Sequence, residues 1–308
     1  MEKAPDKPLI KQAFILGAGL GTRLRPLTSL RPKPLVPVFQ DPMVVHTMRR
    51  IRALGVKEMV INTHHLASVW NDLFPSGTWE DCSLQFSYEP ILLDTGGGLK
   101  NIAHLIDCDS PLLIHNGDIL STLALDELVQ DHLNSGAAVT LALRSQGHIR
   151  NVGFDPASRR VTDMRHSLGV DPGNYHFTGI YCVNPAEILP LIPSGDIVSI
   201  IPALLELIKQ EKVHGYLSND SEWMDLGTPD SYLDVHEHPE AILDPSHCMR
   251  ISPTADISPD ASIDSFCSIG SGAKIGSGVQ LNSCVVWPHA EVPAGTIASR
   301  QIFLPNCQ

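Results

Sequence analysis

Short apolar runs alternate with amphipathic stretches along the first 240 residues of the chain. The runs at 13–16, 58–62 and 112–115 have the length and composition of buried strands. Apolar residues recur at helical spacing over 44–54 and 65–74. Strand and helix signals that alternate in this way predict an α/β fold, with a Rossmann-like mixed, mostly parallel sheet flanked by helices.

Further elements follow from cap residues and from alternation. Residues 41–42 (Asp-Pro) and 228–229 (Thr-Pro) have the composition of an N-cap followed by proline at the first helical position. Residues 151–154 and 161–164 predict a hairpin, and 199–210 predicts an amphipathic helix. The sheet is therefore expected to continue beyond the first few strand–helix units.

The residues after position 250 repeat at an interval of six positions. A period of six predicts short parallel strands stacked in coils, and the pattern resembles the hexapeptide left-handed β-helix, with about three coils. Because the end of such a stack leaves backbone groups unpaired, we expect it to be capped or paired with another subunit in a homo-oligomer. The larger apolar positions are Ile251, Ile257, Ile263, Ile269, Ile275 and Leu281, and the smaller ones are Ala255, Ala261, Cys267, Ala273, Val279 and Val285.

These patterns predict a division of the chain into a first domain at 1–240, a linker at 241–250, a β-helix at 251–300 and a tail at 301–308. The region around the linker is rich in proline, histidine and acidic residues. A solvated linker is the favoured interpretation, because the histidines lack the spacing of a metal site. The alternative is a metal site built from His236, His238 and His247.

Composition limits the classes of function. The chain has 308 residues and a formal net charge of −12, which argues against a general nucleic-acid surface. Seven cysteines without a C-x-x-C pair indicate reduced thiols and a cytoplasmic protein. No apolar run is long enough to span a bilayer, and residues 1–11 lack the apolar core of a signal peptide and are expected to be a frayed leader.

A glycine-rich stretch follows the first apolar run. Gly17, Gly19 and Gly21 stand at alternate positions, where bare backbone N–H groups can form a cradle for phosphate. A dinucleotide-binding loop fits poorly, because Thr22 occupies the position of its third glycine. A Walker loop is excluded because no Gly-Lys-Ser/Thr closes the stretch. The stretch therefore predicts a polyphosphate site, with positive charge from Arg23, Arg25, Arg31 and Lys33.

The combination of G-x-G-T-R at 19–23 with P-K-P at 32–34 resembles the signature of sugar-1-phosphate nucleotidylyltransferases. The resemblance implies an enzyme that joins a nucleoside triphosphate to a sugar 1-phosphate, giving a nucleotide sugar and pyrophosphate. It also implies that Arg23 and Lys33 are catalytic and stabilise the charge on the leaving pyrophosphate. The nucleotide-binding residues would be Leu16, Gly17, Ala18, Gly19, Gly21, Thr22, Arg23, Lys33, Gly97, Asn116 and Gly117.

Two carboxylates predict a metal site. Asp118 follows Asn116 and Gly117 just beyond the apolar run at 112–115, where it either holds a cation or belongs to an ordinary turn and helix cap. Asp225 lies in W-x-D-x-G-T-P, which resembles the second metal motif of the same family. The resemblance implies that both carboxylates hold one Mg²⁺ ion beside the phosphates.

The T-G-G-G segment at 95–98 is expected to form a close-approach loop, and it resembles that of N-acetylmuramate-1-phosphate uridylyltransferases. The E-K-P motif of some hexose enzymes is absent, and residues 164–167 (Met-Arg-His-Ser) lie near that point, so Arg165 substitutes for its lysine or the sugar phosphate is held otherwise. The favoured substrates are therefore UTP and N-acetylmuramate 1-phosphate, with a mannose- or heptose-1-phosphate guanylyltransferase as the alternative. The predicted sugar-phosphate contacts are Glu89, Thr95, Gly96, Gly153, Asn174, Thr178 and Gly179.

Two alternatives come from other classes of protein. Some relatives keep both parts as a non-catalytic regulatory subunit, but those tend to lose the cationic loop or a metal carboxylate, which this chain retains. Hexapeptide acyltransferases share the β-helix and use a catalytic histidine, for which His289 is the candidate within the repeat. Neither alternative uses the full set of predicted residues.

Overall fold

The computed structural model describes residues 8–147, 149–170, 173–193 and 197–306. Part of the predicted leader, residues 1–7, lies outside the described residues, as do the last two residues of the predicted tail.

The chain forms two compact units. The first unit comprises Met1–Leu20, Thr47–Ile119 and Leu123–Ser221, and the second comprises Gly21–His46, Leu120–Thr122 and Glu222–Gln308. This division groups residues 21–46 with the β-helix, which the sequence-based division at 240 does not do, and the predicted domain bounds stay a prediction.

The secondary structure follows the predicted alternation in the first part of the chain and the predicted repeat in the last. The helices are α1 (Met43–Ala53), α2 (Ser68–Leu73), α3 (Asp94–Asn101), α4 (Leu125–Ser135), α5 (Pro185–Ile188), α6 (Ile201–Lys209) and α7 (Pro229–Glu237). The strands are β1 (Gln12–Leu16), β2 (Pro37–Val38), β3 (Asp41–Pro42), β4 (Glu58–Thr63), β5 (Thr78–Trp79), β6 (Cys82–Tyr88), β7 (Leu112–Asn116), β8 (Ile119–Ser121), β9 (Val139–Arg144), β10 (Val152–Asp155), β11 (Arg160–Met164), β12 (His176–Val183), β13 (Val213–Leu217), β14 (Trp223–Asp225), β15 (Asp256–Ile257), β16 (Ser262–Ile263), β17 (Ser268–Ile269), β18 (Lys274–Ile275), β19 (Gln280–Asn282), β20 (Val285–Val286), β21 (Glu291–Val292), β22 (Ile297–Ser299) and β23 (Ile302–Phe303).

The first unit is built on one mixed sheet. Its strand order among the described residues is β10-β11-β13-β9-β12-β7-β1-β4-β6-β5. Strand β1 is parallel to both of its neighbours, β4 and β7, whereas β12 is antiparallel to β7 and β9. Because most strands point the same way, their carboxyl ends meet at one edge of the sheet. The predicted fold class is confirmed.

The apolar runs of the sequence form the core of the first unit. Ala13, Phe14 and Ile15 of β1 are fully buried, as are Leu112 and Ile114 of β7. Strands covered on both faces are expected to be nearly continuously apolar, which is the pattern of these runs. Helix α6 packs residues from its apolar face into the same cluster. Burial of this surface fixes β1 in the middle of the sheet and places its end, Leu16, at the edge described above.

The C-terminal part of the second unit is a three-sided stack of parallel strands. The three sheets have the orders β15-β18-β21, β16-β19-β22 and β17-β20-β23, as a parallel β-helix of three coils requires. The six-residue period slips by one residue between the second and third sides of the middle coil. Ser262 pairs with Gln280, 18 residues on, whereas Ser268 pairs with Val285, 17 residues on. Cys284, rather than the predicted Val285, therefore takes the small position next to Cys267.

The coils share an apolar core with residues that precede them by more than 200 positions. Leu24, Val38 and Phe39 belong to the same buried cluster as Ile269 and Trp287, all within the second unit. Residues of the predicted linker also contribute to this cluster: Ile242 and Leu243 are 7% and 8% exposed. The expectation of a solvated linker is therefore wrong for these two side chains, because their burial outweighs the polar composition around them.

Three predicted elements differ from the structure. Asp41–Pro42 forms β3, paired with β2, so α1 begins at Met43 rather than at the predicted cap. The predicted helix at 65–74 is limited to Ser68–Leu73. Gly96–Gly98 lie within α3 instead of forming a loop. The cap at Thr228 is confirmed, since Thr228 and Ser231 form a reciprocal capping box at the start of α7.

None of the helices in the described ranges combines the length and apolar character that a membrane span requires.

Candidate active site

The carboxyl end of β1 lies between two asparagines. Leu16 is in register with Asn62 of β4 on one side and with Asn116 of β7 on the other. The Gly117 N–H donates to the Leu16 carbonyl at 2.9 Å. The glycine stretch thus begins at the centre of this edge, where ligands of open α/β sheets usually bind.

A buried network holds the start of the glycine stretch. The Asn62 side-chain oxygen accepts from the Gly17 N–H at 2.8 Å and from the Ala18 N–H at 3.3 Å. The Asn62 amide group donates to the Glu89 carboxylate at 2.7 Å, and the Leu93 N–H donates to the other Glu89 oxygen at 3.0 Å. The sequence predicted bare backbone N–H groups in this stretch. Those of Gly17 and Ala18 are not bare, because the Asn62 side-chain oxygen accepts from both.

The same network changes the interpretation of Glu89. Its side chain is 1% exposed, and both carboxylate oxygens are bonded within the first unit. The prediction that Glu89 contacts the sugar phosphate does not fit this geometry. A buried carboxylate with charge-assisted hydrogen bonds orients its donors firmly, so Glu89 supports the glycine stretch through Asn62.

The three alternate glycines meet different physical requirements. A Cβ at Gly17 would lie 2.7 Å from the Asn62 carbonyl oxygen, so Gly17 is required by packing. Gly21 has φ +57°, a left-handed conformation that favours glycine. A Cβ at Gly19 would meet no atom within 4 Å among the described residues, its two chain neighbours aside. At Gly19 the described part of the chain thus supplies no packing reason for glycine, which is compatible with the close approach of a ligand.

Two other predicted residues lie side by side at the sheet edge. A Cβ at Gly179 would lie 2.6 Å from the Asn116 side-chain nitrogen, and Gly179 has φ +78°. Glycine on β12 therefore lets the Asn116 amide lie across the neighbouring strand.

Asp118 is half-buried and lies two residues beyond the end of β7.

Other predicted contacts of the sugar are engaged within the first unit. The Thr178 hydroxyl donates to the Ala142 carbonyl at 2.9 Å, and Thr178 is 1% exposed, so a contact of this hydroxyl with a sugar does not fit. Gly153 is buried on β10 opposite Asp163 of β11. The exposed Asn174 donates its N–H to the Val152 carbonyl at 3.2 Å.

The T-G-G-G segment at 95–98, predicted as a close-approach loop, lies at the start of α3 and packs against backbone. A Cβ at Gly96 would lie 2.8 Å from the Ser199 backbone and the Val198 carbonyl, and the Gly97 N–H donates to that carbonyl at 2.8 Å. The Thr95 N–H donates to the Asp94 carboxylate at 2.5 Å. Packing therefore explains Gly96 without a ligand, and the ligand roles of Thr95 and Gly97 stay predictions.

The backbone near residues 164–167, where the E-K-P motif is absent, adopts an uncommon conformation. Arg165 and His166 are consecutive non-glycine residues with φ +56° and +57°. The buried Asp163 carboxylate accepts from the Leu168 N–H at 3.1 Å and from the Val170 N–H at 3.2 Å, which holds the following turn. Such a conformation in two side-chain-bearing residues costs free energy, and it is maintained here by Asp163.

The second unit brings the predicted catalytic cations onto a predicted metal ligand. The Lys33 ammonium donates to one oxygen of Asp225 at 2.6 Å, and the Arg23 guanidinium donates to the other at 3.2 Å. The Lys33 side chain is 8% exposed, whereas that of Arg23 is 71% exposed. A Cβ added at position 227 would lie 3.1 Å from the Arg23 guanidinium, so glycine at this position leaves room for the contact. Lys33 is thus held firmly, whereas the pair of Arg23 with Asp225 is a weak surface contact.

The carboxylates suit a hard divalent cation. Mg²⁺ is usually held by one or two carboxylates together with phosphate oxygens and water. Asp225 is 32% exposed, and the oxygen that now accepts from the exposed Arg23 guanidinium could bind such an ion once that weak contact opens. Across the described ranges, no group of three or more His, Cys, Asp or Glu side chains could hold a metal. The sharing of one ion by Asp118 and Asp225 stays a prediction.

The histidine alternative does not fit. The His236 Nε2 atom accepts from the Phe39 N–H at 3.1 Å, and its Nδ1 atom lies 2.8 Å from the Tyr232 carbonyl. Burial lowers the pKa of His236 to about 4. Both ring nitrogens are used within the second unit, so His236 is a neutral core residue.

Sequence reasoning missed the residues that support the site. Asn62 ends the apolar run of β4 just as Asn116 ends that of β7, and this shared position was the available signal. Tyr232 and Trp287 gave no comparable signal, because each reads as an ordinary apolar position. Their hydroxyl and indole groups hydrogen bond to each other at 3.1 Å across 55 residues of sequence.

The comparisons with known proteins agree with the fold. A family model described as nucleotidyl transferase matches residues 12–241. A UDP-glucose pyrophosphorylase from Acinetobacter baumanii superposes with a TM-score of 0.63 at 20% identity, covering 75% of this chain and 95% of that one. The structure of HddC from Yersinia pseudotuberculosis complexed with GMP-PN superposes with a TM-score of 0.59 at 20% identity, covering 73% and 97%.

Curated relatives are more similar in sequence. A mannose-1-phosphate guanylyltransferase of Mycobacterium tuberculosis is 33% identical over 227 residues, which cover 72% of this chain and 62% of that protein. A UTP–glucose-1-phosphate uridylyltransferase of Synechocystis sp. is 28% identical over 238 residues, covering 72% and 61%. The match thus spans less than two thirds of the length of these relatives. Because the family model covers most of the chain and the resemblance seen in G-x-G-T-R and P-K-P agrees with it, the chain belongs to the nucleotidyl transferase family.

Proposed function

We propose that this protein is a sugar-1-phosphate nucleotidylyltransferase. The observation that supports this most directly is the cluster of Lys33, Arg23 and Asp225, in which a buried ammonium and an exposed guanidinium converge on one carboxylate. This is the charge pattern that phosphoryl chemistry needs, and it occurs in the signature segment of the family.

The reaction requires no covalent intermediate on the protein. An anionic oxygen of the sugar 1-phosphate forms a bond to the α-phosphorus, and the bond from that phosphorus to the bridging oxygen breaks. Pyrophosphate leaves with the electron pair. Because the attacking oxygen is already charged, positioning and charge neutralisation supply the catalysis.

The chain's own residues have separate tasks in this scheme. Arg23 would move from Asp225 towards the phosphates, whereas Lys33 would act from the position in which it is held, and both would stabilise the charge on pyrophosphate. The open backbone at Gly19 would admit the triphosphate. Asp118 and Asp225 would hold Mg²⁺, which when bound neutralises phosphate charge.

The relatives favour GTP with mannose 1-phosphate or a similar sugar. The Mycobacterium relative at 33% identity is a mannose-1-phosphate guanylyltransferase, and the neighbour HddC was solved with a guanine nucleotide analogue. UTP is the second candidate, because the Synechocystis relative uses it by name and T-G-G-G resembles N-acetylmuramate-1-phosphate uridylyltransferases. The free thiols of the described cysteines agree with a cytoplasmic location. Assembly through the β-helix stays part of this proposal.

A substrate matrix tests the function. The protein with Mg²⁺ is incubated with GTP, UTP, CTP or ATP and with the 1-phosphates of mannose, heptose, glucose or N-acetylmuramate, and pyrophosphate release is measured. We expect one base to dominate. If the protein binds a triphosphate but no pair yields pyrophosphate, the non-catalytic regulatory subunit is the correct interpretation.

Variants of two lysines test the assignment of charge. Lys33→Met should lower turnover by roughly 10²- to 10³-fold, because it removes a preorganised charge from the leaving group. Lys57→Met is the matched control: Lys57 pairs with Asp81 on the surface of the first unit and should leave turnover unchanged. Equal turnover in the two variants would contradict the role of Lys33.

A further inference from the structure

The residues that follow Lys33 are held by α7 and by the β-helix through hydrogen bonds. The Tyr232 hydroxyl of α7 donates to the Pro37 carbonyl at 2.5 Å. The Phe39 N–H donates to His236, also on α7, at 3.1 Å. The Gln40 side-chain amide donates to the Ile269 carbonyl of the β-helix at 3.0 Å. Three of the four residues from 37 to 40 are thus fixed by these two elements of the second unit.

Trp287 of the β-helix completes this arrangement. Its indole N–H donates to the Tyr232 hydroxyl at 3.1 Å, and the hydroxyl donates onward to Pro37. Tyr232 and Trp287 are both buried, and burial raises the pKa of Tyr232. The tyrosine therefore stays protonated. Because its hydroxyl accepts from the Trp287 indole, its single proton is donated to the Pro37 carbonyl. A chain of two hydrogen bonds connects the β-helix to the backbone four residues after Lys33.

Lys33 and Asp225, which form an ion pair, both lie close in sequence to elements that the Tyr232 hydrogen bonds connect. Lys33 lies in the short helix Lys33–Leu35, and the Val36 N–H that follows it donates to the Lys33 carbonyl at 3.1 Å. Asp225 ends β14, three residues before the cap of α7 at Thr228. Tyr232 on α7 therefore connects the segment that carries the cation to the helix that follows the carboxylate.

We propose that Tyr232 and Trp287 are positioning residues for Lys33, so that the β-helix is part of the catalytic scaffold. This inference rests on the proposed function for its catalytic consequence. The Tyr232 hydroxyl fixes the position of the Pro37 carbonyl, and the Trp287 indole fixes the orientation of the Tyr232 hydroxyl. Loss of either bond would let the segment from 33 to 40 shift, and the ammonium with it. Displacements of about 1 Å are sufficient to lower a reaction rate strongly.

Three single substitutions test the proposal. Tyr232→Phe keeps the ring and removes both hydrogen bonds, whereas Trp287→Phe keeps the bond to Pro37 and removes the donor to the hydroxyl together with part of a buried ring. Tyr216→Phe is the matched control, because it also removes one tyrosine hydrogen bond, to Glu127 at 2.6 Å, but in the first unit. Steady-state kinetics and hydrogen exchange of peptides covering 31–40 are measured well below the unfolding temperature of each variant.

The expected results are graded. Tyr232→Phe should lower kcat by roughly tenfold with little change in KM for the triphosphate, and Trp287→Phe should have a smaller effect. Both should speed exchange in 31–40, and Tyr216→Phe should change neither quantity. Wild-type kcat and exchange in Tyr232→Phe would overturn the proposal, as would an equal fall of kcat in Tyr216→Phe.

Failure of the proposed function gives a different pattern. A wild-type protein that releases no pyrophosphate from any substrate pair would remove the proposed function. Hydrogen exchange would still decide the positioning, because unchanged exchange of 31–40 in Tyr232→Phe and in Trp287→Phe would overturn it without reference to activity.

Discussion

A methyl group added at Gly17 should affect the stability of the protein, whereas one added at Gly19 should affect the binding of the triphosphate. Gly17→Ala places a Cβ 2.7 Å from the Asn62 carbonyl oxygen, so it should lower the free energy of unfolding by about 1–3 kcal/mol. Gly19→Ala places its Cβ where no atom of the residues that the structure describes lies within 4 Å, chain neighbours aside, so it should leave stability unchanged while weakening triphosphate binding. Thermal unfolding and titration calorimetry with GTP or UTP measure the two effects. Unchanged nucleotide affinity in Gly19→Ala would contradict the role of that position.

The stability of the second unit should depend on pH through His236. Burial lowers its pKa from 6.5 to about 4, so the unfolded chain binds more protons between these values. Stability from this group is fully present above pH 6.5 and is lost as the pH falls towards 4, by up to about 3 kcal/mol.

Urea unfolding at pH 7 and pH 4.5, followed by tryptophan fluorescence, checks this dependence. His236→Gln should show a smaller difference between the two pH values than the wild type, because glutamine does not titrate. His238→Gln serves as the control, since that ring is 69% exposed. Equal pH dependence in His236→Gln and the wild type would contradict the prediction.

At the scale of elements, the start of α3 shows how packing outweighs helix propensity. Alanine in a helix is usually more stable than glycine by about 1 kcal/mol. Gly96→Ala should nevertheless destabilise the protein, because its Cβ would lie 2.8 Å from backbone atoms of Val198 and Ser199, which cannot move as a side chain can. Thermal unfolding measures the effect, and an unfolding temperature above that of the wild type would contradict it.

The elements themselves were largely predictable. The apolar runs became strands, and the Thr228 cap opens α7 as expected, because these signals are local. Local signals failed at Asp41–Pro42, where pairing with β2 outweighed the preference for a helix start. They also failed at Gly96–Gly98, because a run of glycines does not reveal that a neighbouring segment packs on it.

At the scale of the molecule, the two compact units do not follow the order of the chain. Residues 21–46 share a core with the β-helix, although the sequence divides near 240. Removal of 251–308 should therefore do more than remove a terminal module. It would expose Leu24, Val38 and Phe39, so we expect loss of the cooperative unfolding of the second unit and binding of a hydrophobic dye.

A surface substitution in the same region provides the control for the truncation. Arg300→Gln removes ion pairs from the last coil to Asp234 and Glu237 but keeps all coils. Exposed pairs contribute about 0–1 kcal/mol, so this variant should unfold almost as the wild type does. A truncated chain that unfolds at the wild-type temperature without dye binding would contradict the shared core.

The sequence by itself determined the family, the α/β sheet, the coils and the identity of the charged groups, because each depends on local spacing or on a short motif. Only the tertiary structure showed that Asn62, which Glu89 holds in place, accepts from the first amides of the glycine stretch. It also showed that Lys33 is buried against Asp225 and that its segment is held by Tyr232. These contacts join residues far apart in the chain, and their free energy depends on burial and on distance, neither of which a local pattern contains.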